Sequence, residues 1–473
     1  MAQITGAKAA EATFIEGKGS AIEIIDIFSN KDEKNVSIVN GTLTFLYYES
    51  ILQDSVRAVV SYSDSGNSVG EGDDPKNYKT ITEGLPLVGQ ERVNVKIQDN
   101  NQNELKMVLY VNKVNPLSED TRKQIVQLEL ASREFIMNEK VRVNTRFDGK
   151  ISDHIKKLLE DKKYLGPTDK SEGKEGFKAK KIDIEPTENT YNFVGNNKKP
   201  YYLINWLSRG AVPKLPESGG ATGISAGFLF WETNKGLHFK SIDSLFAQEP
   251  KLNVLYNESP DENDTPPAGY DVKALEYSVS NAIDVQKKLK LGAYSTRLIV
   301  FNPFNTYYEV INPKAEDNED KLSLAGKELP VLNDEFKKEG ANEDFSRTTY
   351  MLLDPGSLPS GGGKGKGSEQ VQKREQENFK PKEYLNQGIM RMNQVFSQKT
   401  TITIPGNFTL HAGDAIFVDA PQVSGDPEND KENTQTGGLY IIADLCHYIS
   451  AKNTLTKLNL VRDSFGRKPK TRN

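Results

Sequence analysis

The sequence predicts a mainly β chain with α+β insertions: two similar small antiparallel β-barrels around a mixed middle region. Period-two alternation of apolar and polar residues fills the N-terminal part, helical spacing is confined to the middle, and the C-terminal part returns to alternation and matches the first part position by position. Alternation with one apolar face is the pattern of a half-buried antiparallel strand.

In chain order, Ile22 to Phe28 and Leu43 to Tyr47 are the first strand candidates. Val93, Val95 and Ile97 then alternate with Asn94, Lys96 and Gln98. Leu105, Met107, Leu109 and Val111 repeat the pattern, as do Val126, Leu128 and Leu130. Ser29-Asn30-Lys31, Asn40-Gly41 and Asp99-Asn100-Asn101 are the turn signals between them. Short strands at this spacing point to a small barrel or sandwich.

Helical spacing follows. Ile151, Ile155, Leu158 and Leu159 share one helix face, with Ser152 as the expected N-cap. A second helix is expected from Pro200 to Gly210, with Tyr202, Leu203, Trp206 and Leu207 as its apolar face. Phe228 to Trp231, the turn Thr233-Asn234-Lys235-Gly236 and Leu237 to Phe239 make a hairpin. Lys273 to Val310 is mixed, with a strand at Arg297 to Phe301. Gly166 to Lys181, Asn257 to Gly269, Gly356 to Lys382 and Ser424 to Gly438 read as exposed loops, because their compositions cannot bury enough apolar area to offset ordering entropy. Near the C-terminus, Ile402 and Ile404 alternate with threonines, Gly413-Asp414 leads into Ala415 to Val418, and Lys452-Asn453 turns Leu439 to Tyr448 into Thr454 to Val461.

The repeat is aligned without gaps in two blocks. Gln127 to Phe135 aligns with Lys457 to Phe465, keeping Leu, Leu and Phe in place. Leu87 to Val95 aligns with Leu410 to Val418; each has a glycine, an acidic residue and then alternating apolar positions. From Gly89 to Leu128 is 39 residues and from Gly413 to Leu458 is 45, a difference that the acidic loop at Ser424 to Gly438 can absorb. Two modules of one design in one chain are an internal repeat.

Composition sets the outer bounds. The chain has 473 residues, about three domains at roughly 150 residues each. Its net charge is 61 − 66 = −5, which disfavours a nucleic-acid-binding surface spread over the whole protein. No window approaches the ~20 apolar residues of a membrane helix, and the first residues lack the apolar core of a secretory signal. Cys446 is the only cysteine, which excludes an intrachain disulfide framework and a cysteine-based zinc site. The chain is therefore expected to fold in a reducing cytoplasm or without dependence on oxidation.

No motif carries catalytic chemistry in a suitable context, so no catalytic, cofactor or metal residue is assigned. Gly223-Ile224-Ser225-Ala226-Gly227 fits a nucleophile-elbow pattern, but a loop precedes the serine and a strand follows it, the reverse of what that elbow needs. The glycine run around Lys364 lacks the Lys-Ser/Thr ending of a phosphate-binding loop. His411 and His447, with Asp414 or Asp444, fall short of the three or four convergent ligands of a metal site and read as barrel-wall residues. Lys287 to Lys290 reads as a solvated basic face, and the 66 acidic residues single out no carboxylate pair.

The order of these segments resembles the central baseplate hub protein of T-even-type contractile-tailed phages, especially the versions in their cyanophage relatives. Tyr47 to Leu52 with Val56 to Asp64 resembles the entry of the first barrel, Tyr202 to Ala211 with Gly227 to Phe246 the central helix and hairpin, and Gly413 to Val418 with Leu439 to Arg462 the closing strands of the second barrel. The resemblance implies a first tube-type barrel at 18–137, a helical or mixed middle domain at 138–222, a hairpin with an α+β insertion and long loops at 223–383, and closing strands of the second barrel at 384–467. It implies a non-enzymatic, late structural protein of the virion, assembled in the host cytoplasm into the tail baseplate. There a homotrimer with two barrels per chain would make a pseudo-sixfold ring, joining the sixfold tail tube to a threefold spike. The implied partners are the spike, tube or tube-initiator proteins, baseplate wedge proteins and a tape measure protein, with no cofactor, no membrane, and DNA only in passage. A spike-type hub of a related injection system and a tail-borne cell-wall hydrolase are the alternatives. The first needs a long C-terminal β-helix and the second a compact catalytic domain.

Overall fold

The structure is a computed structural model that describes residues 20–31, 34–70, 77–120, 122–166, 180–214, 226–256, 266–281, 283–302, 307–312, 314, 322–338, 345–352, 381–422 and 433–468. It is mainly β, with short helices between and beside the sheets.

The first module contains β1 (Ala21–Phe28), β2 (Asn35–Ser37), β3 (Thr42–Ser50), β4 (Arg57–Asp64), β5 (Arg92–Gln98), β6 (Glu104–Asp120) and β7 (Lys123–Ala131). Their spatial order is β3-β4-β7-β6-β5-β1-β2, antiparallel throughout. The middle region holds α1 (Arg133–Lys140), β8 (Arg146–Phe147), α2 (Ile151–Glu160), β9 (Lys181–Ile184), β10 (Phe193–Val194), α3 (Pro200–Ser208), β11 (Phe228–Thr233), β12 (Gly236–Ser241) and α4 (Ile242–Phe246). Next come β13 (Asn253–Leu255), β14 (Val272–Lys273), β15 (Glu276–Asn281) and α5 (Val285–Leu291). A three-stranded sheet of β16 (Thr296–Asn302), β17 (Tyr307–Ile311) and β18 (Arg347–Leu352) and the helix α6 (Pro381–Val395) precede the closing strands. Those are β19 (Gln398–Pro405), β20 (Ala415–Asp419), β21 (Gly438–Ser450) and β22 (Thr454–Arg462).

The second module repeats the first in register. Arg92 pairs with Tyr110 as Ala415 pairs with Ile441, and Val111 with Leu130 as Ile442 with Leu460. One extra residue, Asn112 in β6 and Ala443 in β21, then breaks the ladder at the same point; beyond it Lys113 faces Glu129 as Asp444 faces Asn459. Leu128 faces Val60 as Leu458 faces Ile402, and Val60 faces Phe45 as Ile402 faces Tyr277. A matched bulge is a built feature, since each one re-aims its strand. The turns before β5 and β20 also match: Gln90 (φ +71°) donates its N–H to Val111 O as Gly413 (φ +90°) donates its N–H to Ile442 O. A left-handed turn of this kind favours a residue without Cβ. The modules diverge at one end, where β1 lies antiparallel to β5 but β13 lies parallel to β20.

Leu128, Leu130, Leu458 and Leu460 are all buried, as the register requires, and Lys457 on the opposite face is exposed. The described strands do not close two separate barrels. β21 pairs with β3, so both modules belong to one fourteen-stranded sheet and share one apolar core. Joining the modules this way satisfies two strand edges that separate barrels would each have to close alone.

The middle region corrects several local expectations. α2 begins after Lys150, not at Ser152; Ser152 lies inside the helix, and its N–H donates to Thr187 Oγ1 at 2.9 Å. α3 starts at Pro200 as expected, but it buries Tyr201, Leu203, Ile204 and Leu207, while Tyr202 and Trp206 are 53% and 36% exposed. The helix packs on β11, and that contact selects the face. The hairpin forms as read, with Asn234-Lys235 as its two-residue loop. α6 begins at Pro381, within a segment read as loop to Lys382.

Candidate functional site

The feature that the fold builds most deliberately is the seam where β3 meets β21. Seven residue pairs form it, from Asp444–Ser50 to Ser450–Thr44. Ile51 N–H donates to Ala443 O at 2.9 Å at one end. Because backbone groups alternate along a strand, the main chains of Leu445 and His447 also face β3, and Cys446–Tyr48 is a pair without mutual hydrogen bonds.

Beneath the seam lies a buried polar hub centred on Glu49. Its carboxylate accepts from Tyr47 Oη, Asn234 N–H and Ala412 N–H, each at 2.8 Å, and lies 3.2 Å from His411 Nδ1. Burial raises the Glu49 pKa, but His411 and the two backbone donors outweigh it and hold the carboxyl below its usual range. One side chain thus ties β3 to the β11–β12 turn and to the loop before β20. His447, on β21, stacks on Tyr47 and bonds Thr456 Oγ1 through Nδ1 at 2.9 Å. Burial pushes its pKa down to about 3, so the imidazole is neutral.

A second cluster ties the middle region to the first module. Lys180 Nζ bonds Glu134 Oε2 at 2.7 Å and also Glu232, whose other oxygen accepts from Val56 N–H at 3.2 Å. Burial keeps the Glu232 pKa raised against the pull of Lys180, while for Glu134 the same lysine prevails over burial and lowers it. The ammonium occupies the space between the carboxylates, where a reacting atom would have to sit, so this is a clamp. On α6, Arg391 is held in the same way by Asp463, Asp243 and the Ser323 carbonyl.

The residues weighed for chemistry take structural places. His411 and His447 lie on the same hub, but Asp414 accepts the His411 N–H and pairs with Lys251, and Asp444 bonds Ser50. Among the described residues no three or more His, Cys, Asp or Glu side chains could hold a metal ion. Ser225 and Lys364 lie outside the described residues. The basic run at Lys287 to Lys290 is corrected in part: Lys288 is buried, with its ammonium on Asn393 O and Ser397 Oγ, and burial lowers its pKa to about 8. Lys180 was read as part of a loop, and neither it nor Glu49 carries a motif. Glu49, two residues after Tyr47 and so on the same strand face as Tyr47 and Phe45, was the one available signal, since an acid on the inward register must find a partner.

On the open face of the sheet, a groove of about 780 Å³ follows the seam, lined by Tyr48, Arg57, Glu129, Cys446, Lys457 and Asn459 from both modules.

No protein-family model matches the chain, and neither does any curated protein. Solved structures do resemble it. The 43 kDa tail protein of prophage MuSo2 from Shewanella oneidensis is 10% identical, with 93% of this chain and 98% of that one covered at a TM-score of 0.48. A tail protein from Neisseria meningitidis gives 10%, 93%, 96% and 0.48. An E. coli type VI secretion component, described as similar to T4 bacteriophage tail proteins, gives 9%, 95%, 79% and 0.41. The structural neighbours are thus phage tail proteins and type VI secretion components.

Proposed function

We propose that this chain is a structural hub of a contractile-tail baseplate or a closely related injection machine, acting without catalysis. Its two matched modules are the tube-type units, and three chains supply six of them to a pseudo-sixfold ring. The ring would meet a sixfold tube on one side and a threefold spike on the other, within the tail baseplate of the virion. The observation that carries this reading is the residue-by-residue register shared by the modules, including the bulge at Asn112 and Ala443. Two modules that share one strand register offer similar surfaces, which is what a chain needs to present sixfold contacts with threefold copy number. On this reading 18–137 forms the first module, 138–222 and most of 223–383 hold the outer domains, and 384–467 closes the second module, which also takes in β13 to β15 from within 223–383. The test is the mass of the full chain co-expressed with its spike: three hub copies are expected, with a ring and an axial hole in images. One copy or six would refute it.

A further inference from the structure

The seam inside the chain has an unfilled counterpart at the far ends of the sheet. In the second module, the stretch of β21 from Asp444 to Ser450 has β22 on one side and β3 on the other. In the first module, the equivalent stretch of β6 from Lys113 to Glu119 has β7 on one side and no strand on the other among the described residues. The equivalent of β3 is β15, which among the described residues pairs only with β19. The chain therefore carries both halves of a second seam, at opposite ends of one sheet.

We infer that β15 of one copy pairs antiparallel with the Lys113–Glu119 stretch of β6 in the next, reproducing between copies the β3–β21 seam within each. This rests on the ring reading and deepens it by naming the edges that meet. The register follows from the matched ladders. Tyr48 corresponds to Asn281 and Cys446 to Asn115, so Asn281 lies opposite Asn115 of the next copy; Ser278 lies near its Ser118. Both edges expose apolar side chains: Leu117 is 56% exposed, Leu275 51% and Val279 39%. An edge of this kind is a template for another strand. Pro116 stands at the place of His447, whose N–H faces the partner strand, so the joint between copies lacks one donor that the joint within the chain has. The contact is head-to-tail, so it propagates until it closes.

Asn115–Asn281 corresponds to a pair without mutual hydrogen bonds, with Cα atoms about 4.5 Å apart, within the span of a disulfide. The test uses the full chain in a Cys446→Ser background, co-expressed with its spike. Mild oxidation of the Asn115→Cys/Asn281→Cys variant should convert most single-chain protein on a non-reducing gel into covalent oligomers ending at three chains. Asn115→Cys/Glu276→Cys, out of register, should stay single. Native mass on the same samples separates the two claims. Three-copy assemblies without cross-linking would overturn the edge pairing and leave the ring. Cross-linking into an open ladder would support the edges and overturn the threefold ring, and single chains in both measurements would overturn both. In the unmodified protein, assembly should slow amide exchange in 113–119 and 276–281; unchanged exchange there in an assembled sample would overturn the pairing without any variant.

Discussion

Leu458 sits in the middle of β22, fully buried, with Ile402 across from it on one side and Leu445 on the other. Replacing it with Ala removes apolar volume from a site walled by two strands that cannot collapse inward. A loss of about 3 kcal/mol is expected, mid-range for such truncations. With a urea dependence of about 2 kcal/mol per molar, the midpoint should fall by about 1.5 M. Trp231 is a local reporter, because its indole N–H donates to Ala412 O at 2.9 Å beside the turn that opens β20. In a Trp206→Phe background its fluorescence follows the second module. Lys457→Asp, one residue away on the exposed face, should move the same midpoint by no more than about 0.5 kcal/mol equivalent. Leu128→Ala should destabilise the first module about as much as Leu458→Ala does the second, because the two leucines hold the same register. If Leu458→Ala and Lys457→Asp shift the Trp231 transition equally, the assigned register is wrong and the module equivalence fails with it.

Two further outcomes follow from the matched turns and the buried imidazole. Gly89→Ala and Gly413→Ala both force an L-residue into the left-handed region, at about 1–2 kcal/mol. Only at Gly413 would the new Cβ also meet the Trp231 ring, at 2.5 Å, so that variant should lose more stability in urea melts and alter the Trp231 emission; equal losses with unchanged emission would refute the packing. His447 titrates near 3 when folded against 6.5 when free. Between those values the unfolded chain binds the extra proton, so the His447 contribution is whole above pH 6.5 and falls as pH drops toward 3, at up to about 1.4 kcal/mol per pH unit. His447→Gln should flatten the stability profile over that window, and an unchanged slope would show that the imidazole is not held neutral.

The strands were legible because each records its own burial: Leu128, Leu130, Leu458 and Leu460 alternate with polar neighbours, and a period-two pattern depends only on which face meets the core. The repeat was legible for the same reason, down to the acidic residue that precedes β5 and β20, Glu91 and Asp414. The candidate site was legible only in outline. His411 and His447 stood out as types, but Glu49 and Lys180 did not, since the partners that make them a hub and a clamp come from positions 362 and 52 residues away. The exposed side of α3 was misread because Tyr202 and Trp206 are large aromatic side chains at core-like helical spacing, and only the position of β11 leaves them outside.

By itself, then, the sequence determined a mainly β chain with two modules of one design, because alternation and turn residues are local and survive without knowledge of the partner strand. Only the tertiary structure decided that β21 takes β3 as its neighbour, merging the modules into one sheet and leaving β15 and the end of β6 each paired on one side only among the described residues. Strand pairing is made through backbone groups that all residues but proline share. Which edges meet is therefore set by the three-dimensional course of the chain and is not written in the side chains along it.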